Sequence, residues 1–428
     1  MKPTPRKPKV LFLSPQARPG GTGEEGSGFG LVEKLSPHVD ATLISMTPSG
    51  LKGQLQDYLP ETRVFECEKW DLPWLGERLN ALVKPNYIKF YRFAYTTIHN
   101  LLASESFDIA HQVGPLALRY PSPLVHFDIP YVSGPHAGSL PTPTGLEEAD
   151  SAFPWYYNLR SIDRFRFKYD PMLRRSFSKA ETVVGVGSYI GDLLSDIPLK
   201  SFSTQCENAI ETVHDRPEQR VDPDGVRLLY VGRVIRTKGL LYAIEALGRI
   251  NCKSAWHLDV IGSGNDLDVC QKRAQELEID HQISFHGFLN RADIDAFYER
   301  ADLFVFPSFR EPSGGVILEA MSFGIPLLLA DYGGASAAID GNSAILIPTG
   351  PKEDFIERIA AGLTHAIDDP PFRRTLETRT LSYARGHHTW DSRVSFYLDL
   401  YRKIQRPPQD DGDRLLHEPD STTKESLQ

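Results

Sequence analysis

Two carboxylates and two cations, set around glycines where strands end, are the side chains of this sequence best suited to chemistry. The stretch 308–326, SFREPSGGVILEAMSFGIP, holds Glu311 and Glu319 on either side of Ser313, Gly314 and Gly315. Two adjacent glycines let backbone N–H groups approach a phosphate closely. A carboxylate accepts hydrogen bonds from vicinal hydroxyls such as those of a sugar or a ribose. Glu311, ahead of the turn, is placed to hold one sugar, and Glu319, about one helical turn behind it, to hold another. The stretch 230–239, YVGRVIRTKG, turns at Gly232 and brings Arg233 and Lys238 in ahead of a helix. Cations beside a helix N-terminus suit a diphosphate, because the backbone N–H groups and the helix dipole add to the fixed charge. A charged loop with solvated side chains is the bland alternative for that stretch alone.

Two weaker signals sit at the same expected sheet edge. Ile261-Gly-Ser-Gly264 closes a strand with Gly262 and Gly264, which suit either a tight turn or a ligand lying against backbone. His286-Gly-Phe-Leu289 closes the next, so that backbone around Phe288 and Leu289 could read the edge of a nucleobase.

These segments need a scaffold that delivers loops to one edge. Short apolar runs at 10–14, 41–46, 108–112, 131–133 and 182–186 alternate with helical patterns, as do runs at 226–231, 258–261, 283–285, 303–306 and 326–329. Such alternation predicts parallel α/β sheets, which bind ligands at the carboxyl ends of their strands. Residues 237–249 read as a helix with Thr237 as its N-cap. Residues 213–225 are polar and carry two prolines, the pattern of a linker. The expected organisation is a first Rossmann-like domain over 1–212, the linker 213–225, a second domain over 226–390, a last helix over 391–405, and a disordered tail over 406–428 that holds three prolines and six acidic residues.

In this setting the stretch 308–326 resembles the E-x7-E motif of glycosyltransferase family 4. Glu311 and Glu319 occupy its two positions, and Arg233 and Lys238 match the family's G-R-x-x-x-x-K-G clamp. Residues 301–308, Gly333-Gly334 and 345–348 match what surrounds the motif, and the resemblance is strongest over 226–351. It implies the GT-B fold, two facing Rossmann-like domains with a cleft between them. It also implies a retaining, metal-independent transfer of a hexose from a UDP- or GDP-sugar to a saccharide or lipid-linked acceptor, in polysaccharide or glycolipid synthesis, with no cofactor. On that basis Glu311, His136, Arg233 and Lys238 are the catalytic candidates. The donor-binding candidates are Gly21, Gly232, Arg233, Lys238, Gly262, Gly264, Phe288, Leu289, Glu311, Ser313, Gly314, Gly315, Val316 and Glu319.

The first half departs further from the family. Gly20-Gly-Thr-Gly23 resembles its glycine loop, and residues 129–136 its I-P-V-V-x-T-x-H segment, with Gly134 where a threonine is usual. His136 then matches a histidine near the reaction centre, and a purely structural histidine is the other reading. Glu207-Asn208-Ala209 has Ala for the usual Gly, and Ala337 and Ala338 stand where a glutamate is usual after Gly333-Gly334. Residues 390–405 look like the family's last helix, which crosses back to the first domain. A nucleotide-sugar epimerase or phosphorylase-like enzyme of the same fold, and a sugar-nucleotide-binding protein without transfer, are the alternatives.

Other classes are disfavoured. Gly21-Thr-Gly23-Glu-Glu-Gly26 satisfies G-x-G-x-x-G, but it does not follow a strand directly, and Glu24 and Glu25 repel a pyrophosphate, which speaks against a dehydrogenase. A net charge of -9 speaks against nucleic acid. Four scattered cysteines form no C-x-x-C pair and fit a reducing compartment. No apolar run spans a membrane or makes a signal peptide, so the expected location is cytoplasmic. One feature points to the inner membrane face. Residues 158–179 hold seven Arg or Lys against two Asp, and Lys84, Lys89 and Arg92 lie among four aromatics in 84–93. Such segments dock on anionic lipid, or they are ordinary solvated helix faces.

Overall fold

The computed structural model describes residues 6–21, 23–70, 85–152, 161–215, 225–312 and 314–405. Thr22, Lys84, residues 158–160, most of the linker, Ser313 and the tail 406–428 therefore lie outside the described residues.

Two parallel sheets dominate. The first contains β1 (Lys9–Ser14), β2 (Asp40–Met46), β3 (Thr62–Cys67), β4 (Ile109–Gln112), β5 (Tyr131–His136), β6 (Thr182–Gly185) and β7 (Phe202–Thr204), in the order β3-β2-β1-β4-β5-β6-β7. The second contains β8 (Val226–Val231), β9 (Trp256–Ile261), β10 (Ile283–Gly287), β11 (Leu303–Phe306), β12 (Leu327–Asp331) and β13 (Ile345–Pro348), in the order β10-β9-β8-β11-β12-β13. The central strands are buried on both faces: β1 from Val10 and β11 throughout have no exposed residue. This is why they read as unbroken apolar runs. Sequence periodicity misses β3 and β7, and the reason is visible. Both are edge strands with half-exposed side chains and no continuous apolar run.

The order of strands reverses between β1 and β4 in the first sheet and between β8 and β11 in the second. At such a switch point the loops leaving adjacent strands diverge to opposite faces and leave a crevice. The glycine loop around Gly21 leaves β1, the loop with Lys238 leaves β8, and the loop with Glu311 leaves β11.

The last helix, Trp390–Gln405, belongs to the first domain's core. Val394, Tyr397, Leu400 and Tyr401 pack with Val10, Phe12 and Val184. Gly30, in the helix Glu24–Leu35, makes this docking fit: a Cβ there would lie 2.8 Å from two ring carbons of Trp390. Arg393 is 1% exposed and donates to the carbonyl of Glu207, which also accepts from the Ser27 hydroxyl. One carbonyl thus ties the glycine-loop helix, the segment between the domains and the returning helix together.

The reading of 237–249 as one helix capped by Thr237 is corrected. Arg236–Lys238 form a single 3-10 turn, and the helix proper runs Leu240–Leu247. Gly239 separates them at φ 85°, where a side chain would meet the carbonyl of Pro307 at 2.2 Å. Thr237 is buried and turns its carbonyl, not its hydroxyl, to its neighbours.

Candidate active site at the domain interface

The loops from β8 and β11 are laced together. The carbonyl of Thr237 accepts from Phe309 N at 3.2 Å and from the Ser308 hydroxyl at 3.3 Å. This seats Lys238 against Glu311: Nζ donates to Oε2, while Oε1 of Glu311 accepts from Gly314 N at 3.1 Å. Lys238 is 7% and Glu311 8% exposed. The ammonium also sits 5.7 Å from the Phe306 ring centroid. A charge pair withdrawn from water this far is costly to open, because either partner alone is left uncompensated in a low-dielectric site.

Gly314 takes φ 69°, which leads the chain into the helix Gly315–Ser322. Glu319 lies on that helix with each oxygen held. Arg291 donates to Oε1 and the Tyr298 hydroxyl to Oε2, the latter at 3.0 Å. Arg291 and Tyr298 are seven residues apart on the helix Arg291–Arg300, hence on one face. Their two-turn spacing was readable in the sequence; their target was not.

A cavity of about 630 Å³ lies between the domains, within the range of small-molecule sites. Of the residues expected at a site, Gly21, Glu311, Gly315, Val316 and Glu319 line it, joined by Asn208 and Arg291. Lys238 lies behind Glu311. Arg233 is exposed and forms no ion pair among the described residues. Phe288 is 82% exposed, Leu289 packs on the second core, and neither lines the cavity.

The two glycines Gly262 and Gly264 serve backbone packing. A Cβ on Gly262 would meet the carbonyl of Gly232 at 1.9 Å, and one on Gly264 that of Val234 at 2.2 Å. Val234 N donates to the carbonyl of Ser263 at 2.9 Å, so the β9 loop buttresses the β8 loop. Gly334 acts similarly: its N–H donates to the carbonyl of Glu311 at 2.8 Å, and a side chain would strike the carbonyl of Pro312 at 2.2 Å.

His136 sits at the end of β5, 2% exposed. Ser133 Oγ lies 2.8 Å from its Nε2, and the carbonyl of Leu116 accepts from Nδ1 at 3.3 Å. Burial pushes its pKa down to about 4, so the imidazole is neutral. It does not line the cavity. The glycine-loop carboxylate Glu24 accepts from Leu116 N at 3.0 Å, at the start of the helix Glu24–Leu35. The helix begins inside the G-x-G-x-x-G run, and a Cβ on Gly26 would meet the carbonyl of Gly21 at 2.0 Å, so these glycines close a turn on themselves.

Residues 213–380 match the family model of the glycosyl transferases, group 1. That part of the chain is similar to the group 1 glycosyl transferases. It contains the Lys238–Glu311 pair, Arg291 and Glu319, while the glycine loop and His136 lie outside it. The chain is 29% identical over 194 residues to an uncharacterised glycosyltransferase of Methanocaldococcus jannaschii, covering 45% of this chain and 48% of that one. It is 34% identical over 187 residues to glycogen synthase of Mycobacterium tuberculosis, covering 42% and 44%. The chain thus spans less than half the length of either relative. Among solved structures, HepE of Anabaena in complex with UDP and glucose matches at a TM-score of 0.56 and 17% identity, over 92% of this chain and 99% of that one. The fold is that of the GT-B glycosyltransferases, with two parallel-sheet Rossmann-like domains.

Among the described residues no helix is long and apolar enough to cross a membrane, and no group of three or more His, Cys, Asp or Glu could hold a metal ion.

Proposed function

We propose that the protein is a retaining, metal-independent hexosyltransferase that draws on a UDP- or GDP-sugar bound in the 630 Å³ cavity. The observation that carries this is the arrangement on one wall: the buried Lys238–Glu311 pair, the glycine turn, and Glu319 eight residues on. In this reading Glu319 accepts hydrogen bonds from the ribose hydroxyls, displacing or sharing those from Arg291 and Tyr298. Glu311 accepts from the hydroxyls of the transferred sugar. Lys238 and Arg233 stand by the diphosphate, whose charge grows as the glycosidic bond breaks, and preorganised cations there lower the barrier. The backbone N–H groups at the start of the helix Gly315–Ser322 add to that field. The UDP and glucose bound to HepE support the donor class.

The test is thermal stability of the protein with UDP, GDP, ADP and their sugar conjugates, without divalent metal. A ligand at a hundredfold excess over its dissociation constant stabilises by about 2.7 kcal/mol. One base should raise the melting point, and less so in Glu319→Ala and Lys238→Ala; a flat response throughout overturns the donor site. Nucleotide diphosphate released only when acceptor is present separates transfer from epimerisation and from binding alone. The anomeric coupling of the product reads the stereochemistry.

A peripheral membrane contact is proposed with it. Ile88 and Tyr95 on the helix Pro85–Leu102 and Phe165 and Tyr169 on Ser161–Tyr169 are exposed beside Lys89 and Lys168. Co-sedimentation with vesicles of phosphatidylglycerol, lost in Lys89→Glu, tests it.

A further inference from the structure

A second, larger cavity of about 780 Å³ opens between the domains and shares no lining residue with the first. Its first-domain wall is the helix Tyr189–Leu193 with Asp192, Ser195 and Asp196, together with Leu140 and Phe167. Its second-domain wall is Asp331, Tyr332, Gly333 and Ser336 from the end of β12. None of its lining residues is Lys, Arg or His. Arg174 reaches the rim, where it donates to the carbonyls of Phe167 and Asp196. Asp192, Asp196 and Asp331 form no ion pair among the described residues, and Asp192, Asp196 and Asp331 are exposed to the groove and solvent.

This cavity adjoins the proposed reaction centre through two hydrogen bonds. The Tyr189 hydroxyl donates to the carbonyl of Pro312 at 3.3 Å and accepts from Gly138 N at 3.3 Å. On the other wall, Gly334 N donates to the carbonyl of Glu311. The 630 Å³ cavity is lined by Glu311 together with Glu319, the ribose side; the 780 Å³ cavity is tied to the same loop through its lining residue Tyr189, bonded to Pro312, and through Gly333, next to Gly334.

Resting on the transferase reading, we propose that the second cavity is the acceptor subsite, and that it takes a saccharide that is uncharged or bears amino groups, and rejects one bearing phosphate or carboxylate. Carboxylates accept from sugar hydroxyls, side-chain hydroxyls both accept and donate, and aromatic faces such as those of Tyr189 and Tyr332 suit the C–H face of a pyranose. Three carboxylates with no cation among the lining residues set up a negative potential that attracts an ammonium and repels an anion.

The test uses the full chain and three probes of equal length and different charge: tri-glucosamine, maltotriose and trigalacturonate. Binding is read by calorimetry at low salt. Tri-glucosamine should bind tightest, maltotriose more weakly, and trigalacturonate not at all. Asp192→Lys, at an exposed position, should weaken tri-glucosamine at least tenfold, and Ser336→Trp, which fills the cavity, should abolish tri-glucosamine and maltotriose alike. Nucleotide binding, measured on the same samples, should be unchanged in both variants. Trigalacturonate binding as well as tri-glucosamine overturns the proposal, as does indifference to Asp192→Lys or saturation by none of the three. If the saccharides bind as expected while no nucleotide does, it is the donor reading that falls and this subsite that stands.

Discussion

Lys238 and Glu311 form a buried ion pair between two loops that leave adjacent strands of the second sheet at the point where its strand order reverses. Among the described residues each is the other's only ion-pair partner, and Glu311 has its second oxygen on Gly314 N. The pair therefore holds the loop geometry before any ligand arrives.

Opening that pair should cost stability as well as binding. Lys238→Ala leaves Glu311 buried without a countercharge, so unfolding in urea should shift by about 3–5 kcal/mol, the usual cost of breaking a buried pair from one side. The double replacement Lys238→Met with Glu311→Leu should recover much of that stability while nucleotide binding stays lost. A double variant that binds nucleotide normally contradicts the proposed site.

Glu319 is a separable case. Glu319→Gln keeps the shape but not the charge, so stability should move by less than about 1 kcal/mol, since Arg291 is largely solvated. The dissociation constant of the cognate nucleotide should rise about tenfold or more, the consequence of weakening charge-assisted bonds to the ribose. Tyr298→Phe, which removes one anchor of that carboxylate, should give a smaller loss in the same direction. Calorimetric titration of the three proteins measures both.

The glycines divide into two groups that substitution by alanine should tell apart. Gly262→Ala places a Cβ against the carbonyl of Gly232 at φ 135°, so the melting temperature should fall sharply. Gly315→Ala meets only Asn208 Nδ2 at 3.5 Å and stands at the start of a helix, so the fold should hold or gain slightly while nucleotide affinity drops. Circular dichroism melts and nucleotide titration on both variants provide the check.

Acid should unfold the protein partly through its buried histidines. Burial lowers His136 to about 4 and His388 to about 4, against about 6.5 in the unfolded chain. Between pH 6.5 and 4 the unfolded state binds protons that the folded state does not, so stability falls as pH falls through that window. Below about pH 4 these two groups add nothing further. Urea unfolding at pH 7, 5.5 and 4.5 should show the decline, and His136→Gln, if it folds, should flatten it by close to one proton's slope.

Much of the architecture follows from local pattern. The buried central strands announce themselves because parallel strands covered on both faces must be apolar at successive residues. Glu311, Gly314, Gly315 and Glu319 were legible as a unit because all lie within one strand–turn–helix passage, where covalent spacing alone sets their relative position. Gly262 and Gly264 read only as candidates, since a glycine needed for a neighbouring loop and one needed for a ligand look alike in sequence; the carbonyls of Gly232 and Val234 decide between them. Edge strands β3 and β7 escaped notice because half-exposed residues carry a mixed pattern.

By itself, the sequence determined two α/β sheets, the strand-end placement of the cations and carboxylates, and a second half that resembles a known transferase. Tertiary structure alone decided which of those groups meet. That Lys238 pairs with Glu311 across 73 positions, that Arg291 reaches Glu319, that His136 is sealed away from the cavity, and that Gly30 leaves room for Trp390 are contacts between distant segments. The reason is physical: hydrophobic burial sets the pattern of each element locally, whereas partners of buried polar groups are chosen by how the elements pack.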